Sequence, residues 1–458
     1  MAMNINPNIF REYDLRGIAN KDLTEDIMES LGKAYVAYMK AKRAIHSNVV
    51  VVGRDGRLSS KGFSRALIDG ITEAGMNVID IGEVPTPLTY FVMNTMEVDG
   101  GLVITASHNP SEYNGLKVGV GKTTIYGEQI QEFREYVEAG NFPVRKKDVF
   151  ITKVNIVPKY EKRILKDIKL KRKLKVVVDA GNGVGGVIAI PLFEKLGCEV
   201  IPIYCEVDGN FPNHHPDPTK EANLKELIKL VKKHKADVGI AFDGDVDRLG
   251  GCDDKGRMLW GDQLLVLFAR DILKEKPGAT ILGEVKCSRS MYEEIKKAGG
   301  NAVMWRTGHS HIKSAMIKLK AQLAGEMSGH IFFKHRWYGF DDAIYSACRL
   351  LELISKEDKP LSAMLDTIPK RYSTPEIEFP CGDEKKFDIV AKITKCFQDK
   401  GYDVITIDGA RIEFSDGWGL IRASNTSPKL VMRVEADTPK RLNEIRKLIE
   451  NVFQQFNK

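Results

Sequence analysis

No stretch of the chain approaches the long, uninterrupted apolar run that a membrane-spanning helix needs. The opening MAMNINPNIFREYDLRG has neither the basic leader nor the apolar core of a secretory signal. A cytoplasmic protein without a membrane partner is the expectation. Cysteine is sparse. Its seven copies, at 198, 205, 252, 287, 348, 381 and 396, are an odd number, scattered and without a CxxC pair. That pattern excludes a disulfide framework and a zinc knuckle and leaves reduced thiols. Blocks of one charge sign are missing too. The net charge is +7, but the lysines are interleaved with acids, as in KKDVFITKVNIVPKYEKRILKDIKLKRK. This is a solvated surface, compatible with small anionic substrates, rather than a nucleic-acid face.

What is present is a soluble, globular composition, 43% hydrophobic and 29% charged over 458 residues, enough for several cores. FREYDLRG, carrying Tyr13 and Arg16, reads as a loop. Apolar spacing then predicts a helix over 22–42, a buried strand over 48–53, a helix over 63–74 and a strand over 77–81. PTPLTYFVMNTM leads on to the strand LVI. The succession VVVGRDGR is echoed by KVVVDAGNGVGG, and a third copy starts at ATILGEVKCSRS, each a strand, a turn and a helix. After about residue 369 the pattern changes to strands and two helices. The expected fold is α/β: three similar α/β domains with mixed sheets (1–152, 153–255, 256–368), then a smaller α+β C-terminal domain (369–458).

Ser107 stands where the aliphatic strand Leu102, Val103, Ile104 gives way to Thr105, Ala106 and the polar cluster His108, Asn109, Pro110, Ser111. A hydroxyl on a loop at the carboxyl end of a strand is where open α/β sheets place their chemistry. FDGDVDR supplies Asp243, Asp245 and Asp247 at alternate positions after the apolar VGIAF. Three carboxylates on one loop can converge on a hard cation, magnesium, calcium or manganese. An EF-hand does not fit, because Arg248 stands where its glycine is needed and Asp254 where its glutamate is needed. Arg248 would add positive charge directly after these carboxylates. Gly181, Gly183 and Gly186 satisfy GxGxxG, with Glu206 near the ribose-binding position, yet close packing of a helix on a sheet explains the glycines better than a dinucleotide.

In GEMSGH, Glu326 and Ser328 alternate on a loop and can bind two vicinal sugar hydroxyls, while His330 can carry a proton near neutral pH. In RASNTSP, Arg422, Ser424, Asn425 and Thr426 form a cradle suited to a phosphate that is bound without being transferred.

TASHNP, DGDVDR, GEMSGH continuing into YGFDD, and RASNTSP together resemble the α-D-phosphohexomutase superfamily. GEMSGH and Asn425 point to its bacterial phosphomannomutase/phosphoglucomutase branch rather than to phosphoglucosamine mutase. Val246 departs from the small residue usual in the metal loop. The resemblance implies four domains around a central cleft, with Mg2+ on the three aspartates and on the phosphate of a phosphorylated Ser107. It implies interconversion of hexose 1- and 6-phosphates of mannose and glucose through a catalytic phosphoserine and a hexose 1,6-bisphosphate. Lys286, Thr307, Gly308 and His309 match family positions near the sugar, and Tyr13 is placed with them. Arg16, Lys117, His309 and His330 are candidates for moving protons. His311 has no family role and is read as structural. Hexose phosphates are the expected partners of a monomer. Phosphoglucosamine mutase, or a sugar-phosphate-binding protein without turnover, are the alternatives.

Overall fold

The computed structural model describes residues 5–145, 148–425 and 428–456. By its contacts the chain divides into two units, residues 1–261 with 328–363, and residues 262–327 with 364–458.

The first stretch runs β1 (Leu15–Ile18), α1 (Glu25–Ala41), β2 (Val49–Arg54), α2 (Ser60–Glu73), β3 (Asn77–Glu83), α3 (Thr86–Thr95), β4 (Gly100–Ile104), β5 (Tyr113–Val120), β6 (Thr123–Thr124), α4 (Glu128–Ala139) and β7 (Ile151–Lys153). Its strands form a mixed sheet in the order β1-β5-β4-β2-β3-β7, with β6 on β5. β2 lies parallel to β3 and β4, whereas β5 is antiparallel to β4 and β1. Thr24 starts α1 by accepting from the Ile27 amide, with Glu25 and Asp26 in the first turn and Lys40 in the last. α1 and α2 meet through glycine: a Cβ at Gly70 would lie 1.9 Å from the Glu29 carbonyl, so no other residue permits this approach.

The chain continues through α5 (Val157–Asp167), β8 (Lys175–Asp179), α6 (Gly186–Lys195), β9 (Glu199–Ile203), α7 (Lys225–His234), β10 (Val238–Phe242) and β11 (Leu249–Asp253). These strands are ordered β11-β10-β8-β9, antiparallel only between β11 and β10. The order and directions repeat β5-β4-β2-β3, so the echoed sequence pattern is a structural repeat. In each copy the strand before the functional loop, β4 or β10, is buried along its whole length.

α8 (Gly261–Glu275), β12 (Thr280–Glu284), α9 (Arg289–Lys297), β13 (Asn301–Trp305), α10 (His309–Leu319) and β14 (Leu323–Gly325) follow. Here β12 is central and parallel to both β13 and β14. The chain then returns to the first unit with β15 (Ile331–Phe333), α11 (Ala343–Lys356) and α12 (Leu361–Leu365). The C-terminal stretch holds β16 (Tyr372–Ser373), β17 (Ile377–Pro380), α13 (Asp383–Asp399), β18 (Asp403–Ile405), β19 (Ala410–Phe414), β20 (Gly417–Ala423), β21 (Lys429–Ala436) and α14 (Pro439–Phe456). Its sheet, β16-β21-β20-β19-β18 with β17 on β21, is antiparallel throughout, with α13 and α14 closing a core around Ile393, Phe397, Ile421, Met432 and Ile449. The architecture is therefore three α/β domains followed by an α+β domain, as the sequence pattern predicts.

One local expectation changes, and one stretch given no element gains one. Arg16 lies on β1, not on a loop, because Leu15–Ile18 gains a partner in β5, 95 or more residues away, that local spacing does not reveal. PTPLTYFVMNTM is the helix α3, with prolines at its start, where a missing N–H costs nothing. Among the described residues, no helix is long and apolar enough to cross a membrane. All seven cysteines are free thiols.

Candidate active site

In the first unit, β4 ends at Ile104 and the chain turns at once. The Ser107 amide donates to Thr105 Oγ1 (2.8 Å), the Asn109 amide donates to the Ala106 carbonyl (2.9 Å), and Ser107 adopts φ +52°. Its hydroxyl is buried rather than presented to solvent. It donates to Asp243 Oδ2 at 2.8 Å and lies 3.0 Å from His108 Nδ1.

β10 and β11 hold the facing loop. Asp243, Asp245 and Asp247 are buried and bring carboxylate oxygens within 4.8 Å of one another. Asp243 Oδ1 accepts from the amides of Asp247 and Arg248, which fixes the loop's curl. Val246 stands in the left-handed region (φ +68°) and is fully buried. A β-branched residue pays for that conformation with strain, and its packing near Phe242 and Gly185 holds it there.

Like charges this close repel by about 4 kcal/mol per pair at a separation of 4 Å in a medium of effective dielectric 20. Lys117, on β5, meets part of the cost: Nζ lies 2.8 Å from Asp245 Oδ2 and 2.5 Å from Asp247 Oδ2. Burial works against the ammonium, but the two carboxylates outweigh it and hold its pKa well above the ordinary lysine value. Burial and its two acidic neighbours push Asp243 well above the usual carboxylate range. Burial pushes Asp247 the same way, yet Lys117 and His330 overcome it and keep the group low. Lys117 does not reach every carboxylate oxygen of the cluster. Among the described residues, the buried Asp245 Oδ1 and Asp247 Oδ1 have no hydrogen-bond partner. An all-oxygen donor set with orphaned carboxylate oxygens fits a hard divalent cation.

Arg248 Nε donates to His330 Nε2 at 3.0 Å. An imidazole accepting at Nε2 carries its proton on Nδ1, and Nδ1 lies 3.3 Å from Asp341 Oδ2 and 3.7 Å from Asp247 Oδ1. Arg16 grips Asp14 through Nε and Nη2 and donates from Nη1 to Asn109 Oδ1 (2.5 Å). Burial lowers its pKa, but Asp14 raises it further, so the guanidinium stays charged. Tyr13 is buried beside β1, and Ser328 is half-buried in the turn before β15.

In the second unit, Glu284 at the end of β12 collects donors: Thr307 Oγ1 at 3.0 Å and the amides of Lys286 at 2.8 Å and Met327 at 3.3 Å. Lys286 Nζ pairs with Glu376 at 2.8 Å. Lys286 and burial pull in opposite directions on Glu376, and the lysine wins, holding it down to about 2. Gly308 (φ +123°) caps α10 and donates its amide to Glu326 Oε1 at 2.7 Å. His309, buried, opens that helix, and His311 is buried on it as well. Arg422, at the end of β20, is held by both carboxylate oxygens of Asp408 (3.0 and 3.3 Å), and Asp408 also accepts from the Thr307 amide. Ser424 and Asn425 follow it, the Ser424 carbonyl accepting from Lys386 Nζ, while Thr426 lies outside the described residues.

The structure thus gathers Ser107, Lys117, Arg16, Arg248, His330 and the three aspartates in the first unit. Lys286, Thr307, Gly308, His309, Glu326, Arg422, Ser424 and Asn425 belong to the second. The partners Asp14, Asn109, Asp341, Glu284, Glu376 and Asp408 escape sequence reasoning. Four of them nonetheless lie in the runs singled out above, Asp14 in FREYDLRG, Asn109 in TASHNP, Glu284 in ATILGEVKCSRS and Asp341 in YGFDD, whereas Glu376 and Asp408 lie in none of them. The glycine-rich turn also finds its use. A Cβ at Gly183 would lie 2.7 Å from the Gly244 carbonyl and one at Gly186 2.5 Å from Cys205 Cβ. Close approach of the loop that carries the three aspartates and of the chain leaving β9 accounts for these two glycines as packing positions.

Four domain profiles match the chain in order. They are described as phosphoglucomutase/phosphomannomutase alpha/beta/alpha domain I over residues 7–143, domain II over 158–256, domain III over 260–372, and C-terminal domain over 376–452. A phosphomannomutase/phosphoglucomutase of Pseudomonas aeruginosa is 46% identical over 450 residues, covering 98% of this chain and 96% of that protein. A phosphoglucomutase of Neisseria gonorrhoeae is 45% identical over 453 residues, with 98% of each covered. Among solved structures, a phosphoglucomutase/phosphomannomutase family protein of Burkholderia thailandensis superposes with a TM-score of 0.93 at 41% identity, covering 98% of both chains.

Proposed function

Because the chain belongs to the phosphoglucomutase/phosphomannomutase family, we propose that it is a phosphohexomutase. It interconverts hexose 1-phosphates and hexose 6-phosphates of mannose and glucose. The observation that carries the site is Ser107 Oγ bonded to Asp243, 2.8 Å away, in a cluster of three buried aspartates and one lysine.

Ser107 carries the phosphoryl group. In the first transfer its P–Oγ bond breaks and a bond forms from phosphorus to the free hydroxyl oxygen of the bound monophosphate; that hydroxyl's proton leaves to a base, and Oγ takes up a proton and becomes a hydroxyl again. The product is a hexose 1,6-bisphosphate. After the sugar turns end for end, Ser107 takes back the other phosphate. Asp243, Asp245 and Asp247 would hold Mg2+, with the phosphate of Ser107 as a further ligand, and the ion when bound would offset charge on the transferring oxygens. Arg248 supports the same charge.

Among the proton carriers, His330 is favoured. Its Nδ1 faces Asp341 and its lone pair is on Nε2, so it serves as a general base once Arg248 Nε, which now donates to that nitrogen, is displaced by the substrate hydroxyl. Arg16 and Lys117, both held charged by carboxylates, act as cations, and His309 remains the alternative base. Tyr13, Lys286, Thr307, Gly308, Glu326 and Ser328 bind the sugar, and Arg422, Ser424, Asn425 and Thr426 hold the phosphate that is not moving. The domain limits 1–152, 153–255, 256–368 and 369–458 are supported by the profile spans, whose ends lie within nine residues of them. The free thiols support a reducing, cytoplasmic setting, and the reading is of a monomer acting on small molecules, not nucleic acid.

Coupled assays with mannose 1-phosphate, glucose 1-phosphate and glucosamine 1-phosphate test the proposal. Turnover of the first two is expected. A preference for the third would make it a phosphoglucosamine mutase, and binding without turnover a sugar-phosphate-binding protein.

A further inference from the structure

Arg57, outside every role assigned above, follows β2 with its side chain wholly buried. Nη1 donates to the carbonyls of Pro110 (2.6 Å) and Tyr113 (3.0 Å). Nη2 donates to the carbonyls of Ser107 (2.9 Å) and Asn109 (2.6 Å). One guanidinium therefore gathers four carbonyls from the turn that carries the reactive serine. Its remaining donor, Nε, meets Asp55 Oδ2 at 3.2 Å, and Asp55 Oδ1 is in turn held by the Arg57 amide and by Ser60 Oγ. Phe211 lies over the guanidinium, 5.1 Å from its carbon to the ring centre, and shields it from water.

These bonds oppose two sources of strain. Ser107 occupies the left-handed region, where a non-glycine residue stays only when its surroundings insist. The carbonyls of Ser107, Asn109, Pro110 and Tyr113 converge on one point, where their dipoles repel without a cation. From the other side, Gly244 of the metal loop approaches so closely that a Cβ there would lie 2.5 Å from the Ser107 carbonyl. The Ser107 carbonyl is thus clamped between Arg57 and the metal loop, and the direction of Oγ is set by that clamp.

We propose that Arg57 is a positioning residue for phosphoryl transfer: it holds the Ser107–Tyr113 turn in the strained conformation that aims Oγ. The catalytic part of this inference rests on the mutase reading, and the structural part does not. A lysine could supply the charge but not the planar fork that spans four acceptors. Transfer depends on alignment, and a misplacement on the order of 1 Å costs about 100-fold.

The full-length wild type, Arg57→Lys and Arg57→Ala decide it. Arg57→Lys is expected to lower kcat on glucose 1-phosphate by about 100-fold with KM changed less than about threefold. Amide exchange over 105–113 should accelerate about tenfold while the C-terminal sheet is unchanged. Added guanidinium ion, but not ammonium, should restore part of the Arg57→Ala rate. If Arg57→Ala does not fold, Arg57→Lys carries the test alone. A kcat within about threefold of wild type, a loss confined to KM, or exchange that accelerates evenly across both units would overturn the proposal. A wild type inactive on every hexose phosphate would sink the mutase reading, while the exchange comparison would still decide whether Arg57 braces the turn.

Discussion

Ser107 donates its hydroxyl proton to Asp243, 2.8 Å away, so the candidate phosphoryl carrier is bonded to a candidate metal ligand. A dianionic phosphate on Oγ cannot keep that arrangement beside an anionic carboxylate unless a cation stands between them. Serine phosphorylation and divalent-ion binding should therefore be coupled, each favouring the other.

Ser107→Ala should remove nearly all turnover and leave sugar-phosphate binding largely intact, since it deletes the carrier and none of the proposed cradle. Intact-mass and peptide mapping of active wild type should place phosphate on Ser107. Phosphate on any other residue, or full turnover by Ser107→Ala, would defeat the assignment.

Chelation should stop activity and magnesium restore it. Calcium should bind with little or no turnover, because its looser coordination aligns the phosphoryl group poorly. Thoroughly chelated protein that still turned over at the full rate would remove the aspartates from the metal role.

Lys117 is the built-in counter-charge of the same cluster, so its loss should show without any assay of activity. Lys117→Met leaves the carboxylates uncompensated, and breaking such a buried pair costs about 3–5 kcal/mol. Metal-free Lys117→Met should unfold at lower denaturant concentration than wild type, and magnesium should stabilise the variant more than it does the wild type. Equal stabilisation of the two would show that the lysine and the cation do not share the carboxylates' charge.

These loops were legible in the sequence because each is a short run whose residues act together: the strand that ends at Ser107, and three aspartates at alternate positions. Their partners were not. Arg57 meets the Ser107 turn some 50 residues on, Arg16 reaches Asn109 across β1 and β5, and Lys117 reaches Asp247 from another domain. Such pairs are fixed by strand order and register, which local spacing does not encode. The α/β repeat was visible since strand, glycine turn and helix recur in order. By contrast, α3 was hidden because its residues are buried nearly all round, erasing the amphipathic period.

The His214–Asp179 pair gives a pH signature that does not involve the three aspartates themselves. Burial lowers the His214 pKa, but the 3.0 Å bond and charge of Asp179 outweigh it and raise the group above its ordinary 6.5. Its contribution to stability is therefore complete below the unfolded value and is lost as pH rises through the folded one. His215 shifts downward through burial and opposes this, so the useful quantity is the difference between proteins. Wild type minus His214→Asn, measured by urea unfolding, should shrink from pH 6 to pH 8.5. A difference that is flat or grows with pH would show that the pair does not act through charge.

Arg422 is held by both oxygens of Asp408, so a phosphate arriving at the cradle competes with a carboxylate already bound. The exchange is favourable only if the dianion, with Ser424 and Asn425 beside it, replaces the bonds that Asp408 gives up. A bisphosphate that must reverse between two transfers also needs a grip that it leaves and regains without escaping. Arg422→Ala should therefore weaken glucose 1-phosphate binding, lower kcat and raise the amount of glucose 1,6-bisphosphate released per turnover, all three together. Chromatography of the products during turnover measures the third. Weaker binding with unchanged kcat and no extra bisphosphate would show Arg422 to be an anchor for the incoming substrate alone, with no part in retaining the intermediate.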